Sequence, residues 1–299
     1  MTAPILYDNP GPRARRRILL GTIVGIAMIL GLIGYILVKL NGNGQLEGQR
    51  WAILFDARAS VPQALLRGLV ATLQVAALGM VLATILGALL AIGRLSEHRW
   101  VRIPVTTIIE FFRAVPLLVV IFAVFFVSPT LGLRFSAFAA LVTGLTLYNS
   151  AIIAEIVRAG ILSIDKGQSE SGYSIGMRKW QVMIFILLPQ AIRRMLPVLI
   201  AQLVVLLKDS SLGFIIGYLE LLRTTRTLVE FFAANPSIGD QYSFQIYVGA
   251  ALVFIIVNVI LSTFARWLDK RLARSKKSPE GEALPLTAEQ FAGGNIKPL

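Results

Sequence analysis

The sequence has no cysteine and only one histidine, His98, among its 299 residues. The absence of cysteine excludes a disulfide scaffold, a thiolate metal site and a cysteine nucleophile. A single histidine leaves little basis for a histidine metal centre or for a catalytic triad. We therefore predict neither catalytic residues nor metal ligands in this chain.

Charge is also scarce, at 15% of residues, whereas an ordinary soluble domain has about 25%. Hydrophobic residues make up 56%, and the mean hydropathy is +0.73. One soluble core cannot bury so much apolar surface. The composition therefore predicts an all-α integral membrane protein in contact with the lipid bilayer.

Acidic residues are few, with 16 Asp and Glu against 29 Lys and Arg and a formal net charge of +13. In a soluble protein this excess would suggest a nucleic-acid partner. Here the basic residues gather between apolar runs, so we expect them to set membrane topology and expect no nucleic-acid partner.

Six apolar runs approach the roughly 20 residues that a membrane helix needs. They are Ile18–Val38, Gly68–Gly93, Val105–Val127, Phe135–Ile156, Met195–Gly217 and Tyr247–Phe264. Six crossings put both termini on one side. With the termini cytoplasmic, 20 of the 29 Lys and Arg lie on that side and eight on the other. The positive-inside rule then predicts a multi-pass cell-membrane protein with both termini in the cytoplasm.

The first apolar run is too long for a signal peptide and has no cleavage site, so we expect it to be retained.

The pattern predicts four regions. They are a basic cytoplasmic arm at 1–17, a first transmembrane helix with its external loop at 18–60, a transmembrane core at 61–268, and a basic tail at 269–299 whose composition is typical of disorder.

The segment 158–189, between the fourth and fifth runs, is too polar to span a membrane. It resembles the EAA loop of ABC importer permeases, which reads Glu-Ala-Ala, three residues, Gly, nine residues, then Ile-x-Leu-Pro. Glu170, Gly176 and the run Ile186, Leu188, Pro189 occupy the matching positions. Ser171 and Gly172 replace the two alanines, and the glycine should weaken the helix by about 1 kcal/mol.

The resemblance extends over about residues 5–275. IIEFFRAVPLLV at 108–119, LTLYNSAIIAEIVRAG at 145–160 and LLKDSSLG at 206–213 are similar to the polar amino-acid branch of the family. The start of the chain is similar to permeases of actinobacterial glutamate importers. The resemblance implies a type I ABC importer permease with cytoplasmic coupling helices that imports a polar amino acid, with glutamate the expected substrate.

The family also implies partners. They are a second, homologous permease subunit in a heterodimer, an ABC ATPase dimer and an extracellular substrate-binding protein. The resemblance places ATPase coupling at Gly167, Glu170, Ser171, Gly172, Gly176, Met177, Leu188 and Pro189. This chain has no GxxxxGK[ST] motif, so it is not expected to be an enzyme. ATP and magnesium are expected on the partner ATPase, and no cofactor is expected in this chain.

Charged groups inside apolar runs are costly and call for a functional hypothesis. We consider as substrate-path candidates Glu110, Arg113, Asn149, Ser150, Gln202, Lys208, Asp209, Ser210 and Ser211. Glu110 with Arg113, and Glu155 with Arg158, are each three residues apart and are favoured as structural ion pairs. Asn149 and Ser150 could line a path or only join helices by hydrogen bonds.

Residues 208–211 interrupt the fifth run with two charges and two hydroxyls, which suggests a discontinuous helix of the kind that holds polar substrates. The adjacent Lys208 and Asp209 could serve a zwitterionic amino acid or could only neutralise each other. The alternative function is an ion-gradient-driven secondary transporter. It has no need of the EAA loop, and the chain shows no second half that repeats the first.

Overall fold

The computed structural model describes residues 11–56, 58–236 and 238–274. These residues form helices and turns, with no β-strand among them. The α-helices are α1 (Pro12–Gly42), α2 (Gly48–Trp51), α3 (Val61–Arg94), α4 (Arg99–Ala114), α5 (Leu117–Phe122), α6 (Ala137–Leu162), α7 (Lys166–Ser174), α8 (Lys179–Gln181), α9 (Leu188–Asp209), α10 (Leu221–Ala233) and α11 (Ser243–Arg274).

Shorter helical turns connect several of these elements. The 3-10 turns are Ala52–Leu54, Ser128–Leu131, Ser210–Phe214 and Gly239–Tyr242, and the π-helical turns are Ala123–Val127 and Val182–Leu187. The chain divides into two compact units, one drawn from Met1–Leu65 and Thr225–Ala250, the other from Leu66–Thr224 and Ala251–Leu299.

Five helices are long and apolar enough to cross a membrane: Pro12–Gly42, Val61–Arg94, Ala137–Leu162, Lys179–Phe214 and Gly239–Leu268. They contain or overlap five of the six predicted spans. The predicted third span, Val105–Val127, is not one helix. It is divided between the helical stretches Arg99–Ala114 and Leu117–Leu131, which are bent by 104°.

The bend in this broken span has a local cause. Pro116 has no N–H and disfavours helical geometry in the residue before it. Val115 accordingly takes an extended conformation, with φ −86° and ψ 131°, and α4 ends there. The crossing count is therefore five helices, or six if the bent pair crosses as one span.

The first unit contains the loop predicted at 41–60, which holds α2 and a 3-10 turn. Gln245 is fully buried, and its Nε2 donates to the main-chain oxygen of Gln45 at 2.8 Å. The indole of Trp51 donates to the same oxygen and contacts the ring of Phe244 edge-on. These contacts fasten the loop to the start of α11. Helix α1 has no buried residues.

The second unit has two apolar clusters that share α6 and α9. One gathers around Leu141, Leu145 and Leu206, and the other around Ile153, Ala191 and Met195. Asn149 and Ser150 of α6 lie between these two clusters in the sequence.

The ends of the chain differ from the predicted boundaries. Helix α1 begins at Pro12, so residues 12–17 of the predicted arm are helical, while residues 1–10 lie outside the described residues. Helix α11 continues to Arg274, six residues into the predicted tail. The rest of that tail, 275–299, lies outside the described residues.

Candidate functional site

The coupling segment, residues 163–187, is the part of the predicted segment 158–189 that joins the end of α6 to the beginning of α9. Its short helix α7 begins at a cap, because the Asp165 carboxylate accepts the main-chain N–H of Gly167 at 2.7 Å. Such a cap satisfies one of the otherwise free N–H groups of the first turn. The side chains of Glu170 and Ser171 are exposed on this helix. The segment thus presents a short, capped helix at the surface.

Helix α7 ends in a Schellman motif. The N–H of Met177 donates to the carbonyl of Gly172 at 3.1 Å, and the N–H of Gly176 donates to that of Tyr173 at 3.0 Å. Gly176 has φ +81°, a left-handed conformation that side chains disfavour. A Cβ at Gly176 would have nothing within 4 Å. The motif glycine is therefore required by the turn and not by a neighbouring side chain.

Gly172 is buried against the π-helical turn that precedes α9. A Cβ built there would lie 2.8 Å from Cγ2 of Val182 and 2.9 Å from Cδ1 of Ile186. The glycine thus lets α7 approach this turn closely. Although glycine has a low helix propensity, α7 extends over nine residues.

Side-chain hydrogen bonds tie the coupling segment to α9. Gln190 donates to Oε1 of Gln168 at 3.2 Å, and Arg194 donates to the main-chain oxygen of Ser163. In the EAA-like pattern, Leu188 is half-buried and Pro189 is exposed at the beginning of α9. The position of α7 is therefore coupled directly to α9.

A third contact joins the coupling segment to the turn between α3 and α4. Lys179 donates to the carboxylate of Glu97, and both side chains are exposed. The hydrogen bond from the Lys179 ammonium, together with its charge, lowers the pKa of Glu97 below the ordinary 4.5. The pair is therefore ionised at neutral pH.

The two predicted ion pairs are present and are joined into one network. Arg113 lies 3.1 Å from Glu110, and Arg158 lies 3.1 Å from Glu155. Arg94, at the end of α3, pairs with both glutamates. The network therefore ties α3, α4 and α6 together with three guanidinium groups and two carboxylates.

The linking residue, Arg94, was not among the predicted candidates. In the sequence it is one of several basic residues that follow the second apolar run. Its position at the end of that run was the only sequence signal for a role in an ion-pair network. The sequence does not show which helices meet at that end.

Asn149 and Gln202 form a hydrogen bond between α6 and α9. Nε2 of Gln202 donates to Oδ1 of Asn149 at 2.8 Å, and the Asn149 amide donates to the carbonyl of Leu145 at 2.9 Å. Ser150 is buried, and its hydroxyl donates to the carbonyl of Leu147. Of the two expected roles, joining helices by hydrogen bonds is the one that these contacts display.

The helix is not discontinuous at residues 208–211, contrary to the expectation from the sequence. Helix α9 runs through Asp209, and Ser210 begins a 3-10 turn with φ −61° and ψ −22°. The hydroxyl of Ser210 donates to the carbonyl of Leu207 at 2.7 Å, so the polar group is accommodated within the helix. The 3-10 turn continues to Phe214, and Gly217, with φ +81°, follows it.

The four polar residues at this change of helix type have different surroundings. Lys208 is exposed, Asp209 and Ser211 are half-buried, and Ser210 is fully buried. Lys208 and Asp209 do not form an ion pair with each other or with another described residue, so mutual neutralisation by direct contact is not seen.

Glu220 is a buried carboxylate that the sequence analysis did not select. It accepts the main-chain N–H groups of Leu222 at 2.8 Å and Arg223 at 2.7 Å, and so caps α10. Burial raises its pKa, and these two bonds lower it by a smaller amount. The N–H of Leu221 donates to Thr72 of α3 at 3.0 Å, which fixes the first turn of α10. The available signal was an acidic residue directly before an amphipathic run.

Among the residues that the structure describes, no group of three or more His, Asp or Glu side chains is arranged to hold a metal ion. The polar features are helix caps, interhelical hydrogen bonds and ion pairs. These contacts join helices to one another.

The model of the family described as "Binding-protein-dependent transport system inner membrane component" matches residues 83–274. Those residues contain the coupling segment and every substrate-path candidate. Glutamate transport system permease protein GluD of Corynebacterium glutamicum is 39% identical over 247 residues, which are 80% of this chain and 86% of that protein. "Probable glutamine ABC transporter permease protein GlnP" of Bacillus subtilis is 38% identical over 68% of this chain and 91% of its own length.

Solved structures of ABC transporters have a similar fold. A chain from "Crystal structure of an amino acid ABC transporter with histidines" has a TM-score of 0.65 and 27% identity, and the match covers 72% of this chain and 97% of that one. A bacterial alginate ABC transporter chain, 18% identical with a TM-score of 0.56, shares the fold alone over 86% of this chain and 97% of its own. The predicted all-α ABC importer permease fold is confirmed.

Proposed function

Since the chain belongs to the family of binding-protein-dependent transport system inner membrane components and is a permease subunit of an amino-acid ABC importer, we propose that its substrate is L-glutamate. The support is the 39% identity with the Corynebacterium glutamate permease over 80% of this chain. The second candidate is L-glutamine, which is favoured by the 38% identity with GlnP.

Transport by the reconstituted complex distinguishes these substrates. We expect uptake of labelled L-glutamate into proteoliposomes to require internal ATP and to persist when ionophores collapse ion gradients. Unlabelled glutamate should compete better than glutamine, aspartate or histidine. Stronger competition by glutamine would assign glutamine as the substrate, and uptake that needs an ion gradient but no ATP would identify a secondary transporter.

We propose that the coupling segment docks on a separate ATPase dimer, which binds ATP and magnesium. Residues that would contribute to this surface are Gly167, Glu170, Ser171, Gly176 and Met177, with Leu188 and Pro189 at the beginning of α9. Gly172, which is buried, would contribute indirectly by letting α7 pack closely on the turn Val182–Leu187. The observation that carries this proposal is the exposed, capped helix α7 held between the ends of α6 and α9. Movement of α7 by the ATPase would then reach α9 through Gln168, Gln190 and Arg194.

A bulky substitution at the exposed surface of α7 tests docking. Glu170→Trp should abolish substrate-stimulated ATP hydrolysis in the assembled complex, because the indole prevents close approach of the ATPase. Thr130→Trp, in an exposed turn between α5 and α6, is the matched control and should retain stimulation. Gly176 is less suitable, since its φ of +81° would add backbone strain to any substitution. Normal stimulation in Glu170→Trp would exclude this docking surface.

We propose that the permease has a homologous second subunit and receives glutamate from an extracellular binding protein, with both termini cytoplasmic. The positive-inside distribution supports this orientation. The substrate path would contain Glu110, Arg113, Asn149, Ser150, Gln202, Lys208, Asp209, Ser210 and Ser211. Half-buried Asp209 would attract the ammonium group, and exposed Lys208 would attract a carboxylate.

Asp209→Ala tests the path. This variant should assemble with its partners but lose uptake, while Val205→Ala, one turn earlier on the same helix, should keep it. Assembly is measured by co-purification and uptake in proteoliposomes. Wild-type uptake by Asp209→Ala would remove Asp209 from the path.

A further inference from the structure

An open groove of about 290 Å³ separates α9 from α11 within the second unit. It is lined by Pro197, Ala201, Val204, Ser262, Ala265 and Arg266. Most of these side chains are apolar or small, and Arg266 is the lining residue nearest the end of α11. The groove therefore combines an apolar channel with a cation at one end.

The same face of α9 continues toward the coupling segment. A second recess, of about 330 Å³, is lined by Phe185, Ile186, Pro189, Gln190 and Arg193. Arg193 and Pro197 are four residues apart and so lie on one helix face, about 6 Å apart along the axis. Arg193 is thus placed one turn beyond the apolar groove, toward the coupling segment.

Within the part of the chain whose side chains the structure describes, neither cation has an acidic partner. Arg266 donates to the hydroxyl of Thr263 at 3.1 Å, and neither Arg193 nor Arg266 forms an ion pair with a residue that the structure describes. Both side chains are exposed. Residues 266–277 contain six Lys and Arg and one Asp, so the basic character extends beyond the groove.

Aromatic residues mark the same level of α11. Trp267 stacks on Phe264, with ring centroids 5.9 Å apart, and the Arg271 guanidinium lies 5.2 Å from the Trp267 ring centroid. Both rings are about half exposed. Tryptophan and arginine at the end of a membrane helix are typical of the boundary between acyl chains and headgroups. We therefore expect the cationic end of the groove at headgroup depth.

We propose that the groove between α9 and α11 binds one anionic glycerophospholipid. Its phosphate would contact Arg266 and Arg193, and one acyl chain would lie along Pro197, Ala201 and Val204. Basic recesses between membrane helices have the charge that an anionic headgroup requires. A lipid fits both the apolar channel and the cationic end, whereas a free anion would use only the latter. The site is independent of which amino acid is carried.

Native mass spectrometry tests the site on the assembled complex. The complex is released from nanodiscs that contain equal amounts of phosphatidylglycerol and phosphatidylcholine with identical acyl chains. We expect the wild type to retain phosphatidylglycerol in preference to phosphatidylcholine. Arg193→Gln/Arg266→Gln should reduce this retention by about fivefold for each arginine removed. Arg99→Gln/Arg102→Gln, which removes two exposed arginines of α4, is the matched control and should retain the preference.

A second variant separates a lipid site from general surface attraction. Ala201→Phe fills the groove but keeps both arginines, so it should also lower phosphatidylglycerol retention to the level of phosphatidylcholine. Unchanged retention in Ala201→Phe would overturn the proposal, since charge alone would then explain binding. Loss of the partner permease on co-purification would identify the groove as a subunit interface and would also overturn it. The wild-type complex tests the proposal even if a variant fails to assemble. Equal retention of phosphatidylglycerol and phosphatidylcholine by the wild type would exclude the site.

Discussion

The two halves of α6 are packed in different ways. In the first half, Gly144 faces α5 so closely that a Cβ would lie 2.7 Å from Cγ1 of Ile121 and 3.1 Å from its Cα. In the second half, Gly160 faces the flexible side chain of Met195, and Glu155 pairs with Arg94 and Arg158. The first half is held by fixed backbone contact. The last turns of α6, around Glu155 and Gly160, are held instead by a flexible side chain and by ion pairs.

The largest expected effect is in the first half of α6. Gly144→Val should destabilise the protein by about 1–3 kcal/mol, because the backbone of Ile121 cannot move away. Gly160→Val should cost less, since an unbranched methionine can change rotamer. Thermal unfolding of the purified complex measures both, with Gly25→Val in α1, where a Cβ has open space, as control. Equal loss at both glycines would contradict the proposed difference.

The next largest effect is expected in the network at the other end. Arg94→Gln removes the cation shared by Glu110 and Glu155, whose side chains are 51% and 19% exposed. Truncating a partner of a buried pair costs about 3–5 kcal/mol and an exposed pair about 0–1, so we expect about 2 kcal/mol. Arg99→Gln, on exposed α4, is the control in the same melting assay. If both variants melt alike, Arg94 does not link the helices.

A smaller effect is expected between the halves, where Asn149 meets Gln202. Asn149→Leu should cost about 1 kcal/mol, as interhelical hydrogen bonds in membranes usually do. It also leaves the Gln202 amide without its partner. The double variant Asn149→Leu/Gln202→Leu should then be less destabilised than the sum of the single variants. Strict additivity in a double-mutant cycle would show that the pair contributes no coupling energy.

The smallest effect is expected beyond the end of α6, at Lys179 and Glu97. Lys179→Met should leave the melting temperature unchanged, because both side chains are exposed. The variant should raise the pKa of Glu97 toward the ordinary 4.5. In the wild type the interaction is present above the pKa of the unfolded chain and is lost as the pH falls through the lowered folded pKa. A large loss of stability of Lys179→Met at neutral pH would contradict this expectation and would show that the pair stabilises the fold.

The sequence was sufficient for the features that depend on periodicity or local spacing. Apolar runs located five of the spans, and three-residue spacing identified the pairs of Glu110 with Arg113 and of Glu155 with Arg158. It was insufficient where helices meet. Arg94 is joined to two glutamates by tertiary packing alone, and Glu220 is recognisable as a cap only once α10 begins at Leu221.

Two differences from the predicted pattern have local physical causes. The run predicted as the third span, Val105–Val127, is divided at Val115 and Pro116 into two helical stretches that are bent by 104°. Residues 208–211 were expected to break a helix because they are polar. Hydroxyl groups that bond back to the preceding turn allow the helix to continue, as Ser210 does. Polarity alone therefore did not predict backbone conformation.

The helix Lys179–Phe214 has a further mechanical consequence. It is flanked by Gly176 and Gly217, both with φ +81°, and has 36 residues, so it is roughly 54 Å long at 1.5 Å per residue. Each glycine permits a sharp change of chain direction, so the helix is bounded by a turn at either end. A displacement of this helix beside Gly176 would therefore also move Lys208 and Asp209 near its other end.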